Sequence, residues 1–310
     1  MKRPKLIYEV YRANLTGAEK TKFNHRSEAI RFAKALKKNG YGVQTWKNVT
    51  NKHVSVVVEH WKQEGLAVST IKEYLTGVRA VALAYGNTSI HTDNSLFGLP
   101  RRSYLSGPSK AMPEEVYTYL HEMLCKGDDH KQRLAAQIRV MRELGLRHEE
   151  ARKINPDLAI LEDGRIYISA GTKGGRDRVL NFATDRQREA VQALTPYIGK
   201  YGNTMPDDMN EARWENFVYN TLKEYGITKK ESGASLHGLR HAYAQQRYFE
   251  LMGVNAPCRF QNVLEYRKEV FLAHGPDWKQ QHRRAVNIIT HELGHNRESI
   301  TTIYLGSYYV

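Results

Sequence analysis

Cysteine is scarce in this 310-residue chain: Cys125 and Cys258 are the only two. They form no metal-type spacing and no disulfide framework, so a reducing, cytoplasmic compartment is the expectation. Long apolar runs are missing too. No stretch approaches the ~18 uninterrupted apolar residues of a membrane helix. The opening MKRPKLIYEV has basic residues without the apolar core of a secretory signal, so no such signal is expected. No GxxxxGK[ST] loop occurs, and nothing points to ATP chemistry. Acidic charge is the scarcer sign, with 33 Asp+Glu against 47 Lys+Arg and a formal net charge of +14. Disorder is excluded, because hydrophobic residues still make up 41% of the chain and can build a core.

The basic excess is uneven. Residues 1–110 hold 19 Lys+Arg and 7 Asp+Glu, whereas residues 111–310 hold 28 and 26. A basic module joined to a nearly neutral one suits a polyanion clamp beside a domain with its own task. The bland alternative is a generally basic surface kept for solubility.

Apolar periodicity predicts helices over 25–39, 52–64 and 70–85, the last with Thr70 and Glu73 as a capping box. Residues 86–109, rich in Gly, Ser, Asn and Pro, are the best linker candidate. Further helices are expected over about 113–125, 131–144 and 147–154, with Pro113 in a first turn and Gly145 as a breaker. Over 157–180, the short apolar runs LAIL, RIYISA and RVLNF, separated by turn residues, predict a three-stranded antiparallel meander. Helical patterns then run to the end. The expected fold class is mainly α with a small antiparallel β-sheet.

Four local patterns stand out: Gly145-Leu146-Arg147-His148-Glu149-Glu150; Thr172-Lys173-Gly174; His237-Gly238-Leu239-Arg240-His241; and Leu293-Gly294-His295 with Tyr304 nine residues on. In that order, the chain resembles the tyrosine recombinase (phage integrase-like) family. SLHGLRHAY and ELGHNRESITTIYLG carry the resemblance most specifically. It implies a basic helical core-binding domain over 1–100, a linker over 101–111 and a catalytic domain of the DNA breaking-rejoining fold over 112–310. Residues 1–20 read equally as a separate arm or a frayed tail. The resemblance also implies Arg147 and Arg240 as paired arginines and Lys173 as a hairpin lysine. His237 and His295 would be the site histidines, Tyr304 the nucleophile, and Glu150 an acid that positions the first arginine. The implied activity is site-specific DNA recombination through a covalent 3′-phosphotyrosine, on a mobile genetic element. No cofactor and no metal are expected. The expected partners are double-stranded recombination sites, a homotetramer on DNA and accessory DNA-bending proteins, with no membrane.

The chemistry fits those residue types. Attack on a phosphodiester pushes negative charge onto non-bridging oxygens, and two always-charged, bidentate guanidiniums meet it. A tyrosine, with an ordinary pKa of about 10, needs a neighbouring base or concentrated positive charge to attack at neutral pH. His237 is the candidate base, Lys173 the donor to the departing 5′-oxygen and His295 a donor to the phosphoryl group. Arg176 and Arg178 beside Lys173 read as a basic hairpin turn contacting phosphate. His148 and His241 read as local packing.

Three rivals share these residues. His291-Glu292-Leu293-Gly294-His295 also spells the HExxH zinc-peptidase signature, although Glu298 and Thr301 stand where the extended form needs Gly and His. A type IB topoisomerase uses similar chemistry, and a non-catalytic DNA-binding regulator could keep the fold alone. Residues 255–284 look like an insertion. Tyr308, Tyr309 and Val310 are expected to dock on the same or an adjacent subunit.

Overall fold

The computed structural model describes residues 5–101, 109–172, 174–180 and 184–309. The chain divides into two compact units, Met1–Ser103 and Tyr104–Val310. Among the described residues, no helix is long and apolar enough to cross a membrane.

The first unit contains α1 (Lys5–Arg12), α2 (Glu19–Lys38), α3 (Asn51–Gln63) and α4 (Val68–Ala84). Each turns an apolar stripe inward: Val10, Phe32, Leu36, Val54, Val57, Trp61, Ile71, Leu75 and Val78 are buried in one cluster. The expected helices are present, but the Thr70–Glu73 capping box is not. The chain reverses at Gly65 (φ 76°), so α4 begins at Val68 and Thr70 already lies in its first turn. The fully buried Trp46 donates its Nε1–H to the Leu6 carbonyl at 3.0 Å and its backbone N–H to Glu9 at 2.9 Å. These bonds draw α1 into the core, so residues 5–12 are no frayed tail. Ile90, Phe97 and Leu99 are buried in the same cluster. Residues 86–99 of the linker-like stretch are therefore packed against the core, with a short 3-10 turn over Asn94–Phe97, and residues 102–108 lie outside those described.

Where α2 crosses α4, Gly77 allows close approach. A Cβ there would fall 2.7 Å from both the His25 carbonyl oxygen and Glu28 Cβ. Glu28 is buried at this crossing, and desolvation, with Glu73 adding, pushes its carboxyl up to about 7.

The second unit runs α5 (Glu114–Cys125), α6 (Asp129–Leu144), α7 (His148–Lys153), α8 (Pro156–Ala159), β1 (Ile166–Ile168), β2 (Arg178–Leu180), α9 (Asp185–Gln192), α10 (Glu211–Glu224), α11 (Leu236–Met252), α12 (Val263–His274), α13 (Trp278–Glu292) and α14 (Glu298–Leu305). The strands pair antiparallel, with Ile166 opposite Leu180 and Ile168 opposite Arg178. The expected third strand is reduced to one bridge, Ile160 to Ile166. Leu158 and Ala159 close a helical turn instead: Asn155 Oδ1 accepts the Asp157 N–H at 3.0 Å and Pro156 fills the first turn.

Two apolar cores meet along α11. Leu236 and Leu239 belong to a core with Leu120, Leu134, Ile138, Trp214 and Val218. Tyr243, Ala244 and Tyr248 belong to another with Tyr266, Val270, Ile289, Tyr304 and Leu305. Arg240 sits between these two sets of positions. Residues 255–284 are thus more than a surface insertion, since Tyr266, Val270 and Trp278 fill the second core. Tyr308 docks on its own chain: its ring lies 4.7 Å from that of His282, and Arg267 donates to its carbonyl at 3.0 and 2.7 Å. Tyr309 is exposed, and Val310 lies outside the described residues.

Replacing Gly77 by alanine should gain about 1 kcal/mol of helix propensity. The backbone carbonyl of His25 cannot yield as a flexible side-chain tip would, so overpacking of roughly 1–3 kcal/mol should prevail. Urea unfolding of Gly77→Ala should show a lower midpoint than the wild type; an unchanged or higher midpoint refutes the close crossing.

Candidate active site

Helix ends create the site. Gly145 ends α6 in the left-handed region (φ 63°), where a Cβ would collide with the Tyr243 ring. The α13 end is a Schellman turn: Gly294 (φ 62°) donates to His291 O at 2.8 Å and His295 N–H to Thr290 O at 2.9 Å. Carbonyls at such ends lack intrahelical donors and carry the negative end of the helix dipole. Arg240 serves both ends, donating through Nη1 to Gly145 O at 2.5 Å and through Nη2 to Leu293 O. Its guanidinium is fully buried, and burial, with Arg147 nearby, pushes its pKa down to about 10.

Glu150, also fully buried, collects the other cations. Arg178 grips it with two parallel bonds, Nη1 to Oε1 at 3.0 Å and Nη2 to Oε2 at 2.9 Å. Arg147 donates to Oε1 through Nη1 at 2.6 Å and to Oε2 through its backbone N–H at 2.8 Å. Arg240 Nη1 stands 3.9 Å from Oε2. Burial works to raise the Glu150 pKa, but the hydrogen bonds and charge of Arg178, the Arg147 N–H and Arg240 outweigh it and hold the group below the usual carboxylate range.

Tyr304 enters from α14. Its hydroxyl lies 3.1 Å from His237 Nε2, and its ring lies 5.8 Å from Arg240 Cζ, 4.3 Å from the His241 ring and 5.2 Å from the His295 ring. Gln245 Nε2 donates to the Tyr304 carbonyl at 3.1 Å, fixing the end of the helix. Burial first, then Arg240 and Arg147, pushes His237 down to about 4. A neutral His237 can accept the phenolic proton.

The tautomer of His295 follows from its partners. Thr290 Oγ1 gives its proton to Val286 O (2.7 Å), so it accepts from Thr301 Oγ1 (2.7 Å). Thr301 then accepts from His295 Nδ1 at 3.0 Å, which leaves Nε2 to accept from Arg240 Nη2 at 3.1 Å. Burial, with Arg240, Arg147 and Arg178 adding, pushes this histidine down to about 3. In this arrangement its single N–H is committed to Thr301.

Five of the six residues singled out in the sequence come together: Arg147, His237, Arg240, His295 and Tyr304. The sixth, Lys173, lies outside the described residues. One expectation changes: Arg178 is no exposed turn residue but a buried partner of Glu150. His241 packs locally, as expected, with its ring tilted 32° against that of Tyr304. The strand pattern held the missed signal, because Arg178 lies two residues from Leu180 and so shares its inward face.

The zinc-peptidase reading fails on geometry. HExxH chemistry needs both histidines on one helical face, but α13 ends at Glu292 and Gly294 turns the chain before His295. His291 is exposed, and Glu292 is bonded to Tyr243 (3.0 Å) and Arg247 (3.1 Å). Among the described residues, no group of three His, Cys, Asp or Glu is placed to hold a metal ion.

The second unit is thus a helical domain with one small hairpin, in which a tyrosine on the last helix meets Arg240 and the rings of His237, His241 and His295. The family model described as Integrase matches residues 101–246, and that described as Phage integrase, N-terminal, matches residues 7–91. The chain belongs to the tyrosine recombinase (phage integrase) family, whose members are DNA strand-transferring enzymes. Three solved structures show its fold. A lambda integrase dimer bound to a COC′ core site superposes with a TM-score of 0.60 at 14% identity, over 96% of this chain and 74% of that one. The Tn1549 transposon integrase in complex with transposon right end DNA gives 0.60 at 13%, over 99% and 95%. The XerH recombinase bound to difH gives 0.53 at 16%, over 91% and 76%. No curated relative matches the sequence.

The buried histidines imply an acid-sensitive fold. His237, His241 and His295 stay neutral down to about 4, 3 and 3, whereas unfolded histidine titrates near 6.5. Between those values the unfolded chain binds protons that the folded chain does not, so stability is present above about pH 6.5 and is lost as pH falls towards 4. Each group contributes at most about 1.4 kcal/mol per pH unit in that window. Urea midpoints should drop between pH 7 and 5, and less steeply in His241→Phe; equal slopes would contradict the neutral His241.

Proposed function

We propose that the protein is a site-specific DNA recombinase that cleaves and rejoins strands through a covalent 3′-phosphotyrosine on Tyr304. The observation that carries this reading is the 3.1 Å contact between the Tyr304 hydroxyl and a neutral His237, beside the Arg240 guanidinium. Tyr304 Oη attacks the scissile phosphorus while His237 Nε2 takes the phenolic proton. Arg147 and Arg240 meet the charge that grows on the non-bridging oxygens. An arriving phosphate raises the pKa of His295, and the protonated ring donates to a phosphoryl oxygen. Lys173, assigned through family resemblance, gives a proton to the departing 5′-oxygen. The phosphotyrosine conserves the energy of the broken bond, so a second 5′-hydroxyl reverses the step without ATP or metal.

The substrate is double-stranded DNA carrying recombination sites on a mobile genetic element, and the working assembly is a homotetramer, with accessory DNA-bending proteins at some sites. A lambda integrase tetramer bound to a Holliday junction supports this assembly by analogy of fold. Residues 1–100, as a basic core-binding domain, supply much of the phosphate contact, and residues 112–310 form the catalytic domain. The reaction takes place in the cytoplasm.

A nicked duplex whose short cleaved piece diffuses away tests the reading. Wild type should accumulate as a covalent protein–DNA adduct through a 3′-phosphate, with or without a chelator, and Tyr304→Phe should form none. Arg147→Ala and Arg240→Ala should lower the single-turnover rate by roughly 10²–10³ or more. An adduct that survives in Tyr304→Phe overturns the assignment. Affinity measured across salt concentrations should also fall steeply, as counterion release from many phosphate contacts requires; flat affinity would refute the basic clamp.

A further inference from the structure

We infer that Arg178 is a positioning residue that joins the Arg147 and His295 sides of the site through Glu150 and the end of α13, an inference that rests on the recombinase reading above. Every nitrogen of its guanidinium is engaged inside the protein. Nη1 and Nη2 bind the two Glu150 oxygens at 3.0 and 2.9 Å, and Nε donates to the Glu292 carbonyl at 2.7 Å. The side chain is 2% exposed, so it has no surface to offer a DNA backbone.

Its two ends touch different parts of the chemistry. Glu150 orients Arg147 through two bonds, one to its guanidinium and one to its backbone N–H. Glu292 is the last residue of α13, and the turn that follows delivers His295 to Arg240. Gly294 in that turn leaves room for Arg178: a Cβ there would lie 3.2 Å from Arg178 Cδ and Nη1. β2 thereby holds α7 and the His295 turn at a fixed separation. A lysine carries the charge but cannot span two carboxylate oxygens and a carbonyl at once.

The test is the single-turnover adduct assay with DNA affinity measured separately. Arg178→Lys should bind DNA like wild type and form adduct about 10–100-fold more slowly, as misplacement of about 1 Å would cause. Arg178→Met removes one of the cations facing Glu150, leaving Arg147 at the head of α7 and Arg240 on α11, with His295 beyond Arg240. The Glu150 carboxyl then titrates nearer neutrality. Its cleavage rate should fall more steeply than that of wild type between pH 8 and 6, and Glu150→Gln added to it should remove the extra slope. A purely structural role would reduce the folded fraction without reshaping the pH profile. Arg178→Lys cleaving at the wild-type rate, or a pH profile of Arg178→Met parallel to that of wild type, overturns the inference; should Arg178→Met not fold, the lysine variant decides. A wild type that forms no adduct overturns the recombinase reading itself, and this inference with it.

Discussion

A single buried carboxylate organises the second unit. Isolated, the Glu150 charge would cost several kcal/mol to hold out of water. Two parallel bonds from Arg178, two from Arg147 and the nearby Arg240 offset that cost. These partners come from the head of α7, from β2 and from α11, so the ion cluster sets how three elements meet. Arg240 extends the cluster to the ends of α6 and α13 by capping carbonyls that would otherwise lack donors. Electrostatics and secondary-structure termination are here one interaction.

The tyrosine is positioned by a different physics. α14 is only eight residues long and is marginal alone in water. It is held by the second apolar core, by Gln245 on its final turn and by Thr301, which reaches both Thr290 and His295. The ring is then wedged between His241, His237 and Arg240. Residues 255–284 matter for this reason, since Tyr266, Val270 and Trp278 form much of the core on which α14 rests.

Legibility in the sequence followed how local each cause was. Helices with a clean apolar stripe, such as α4 with Ile71, Leu75 and Val78, could be read from periodicity. The start of α4 could not, because a turn at Gly65 decided it rather than the Thr70–Glu73 pattern. The LAIL run reads as a strand by itself, but Asn155 and Pro156 upstream decide its fate. Arg147, His237, Arg240, His295 and Tyr304 were found through spaced boxes that resemble a family. The role of Arg178 is not legible locally, because its partner Glu150 is 28 residues away and a basic turn and a buried strand arginine look alike in one dimension. The HELGH run misled for the complementary reason: its spacing is helical, but a left-handed glycine ends the helix inside it.

Arg147, Arg178 and Arg240 bring three positive charges to a region whose Glu150 supplies one negative, and His295 and His237 stay neutral beside them. This interior therefore carries mutual repulsion among its guanidiniums, which the packed ends of α6, α7 and α13 must contain, so this corner of the fold is held by stiffness as much as by attraction.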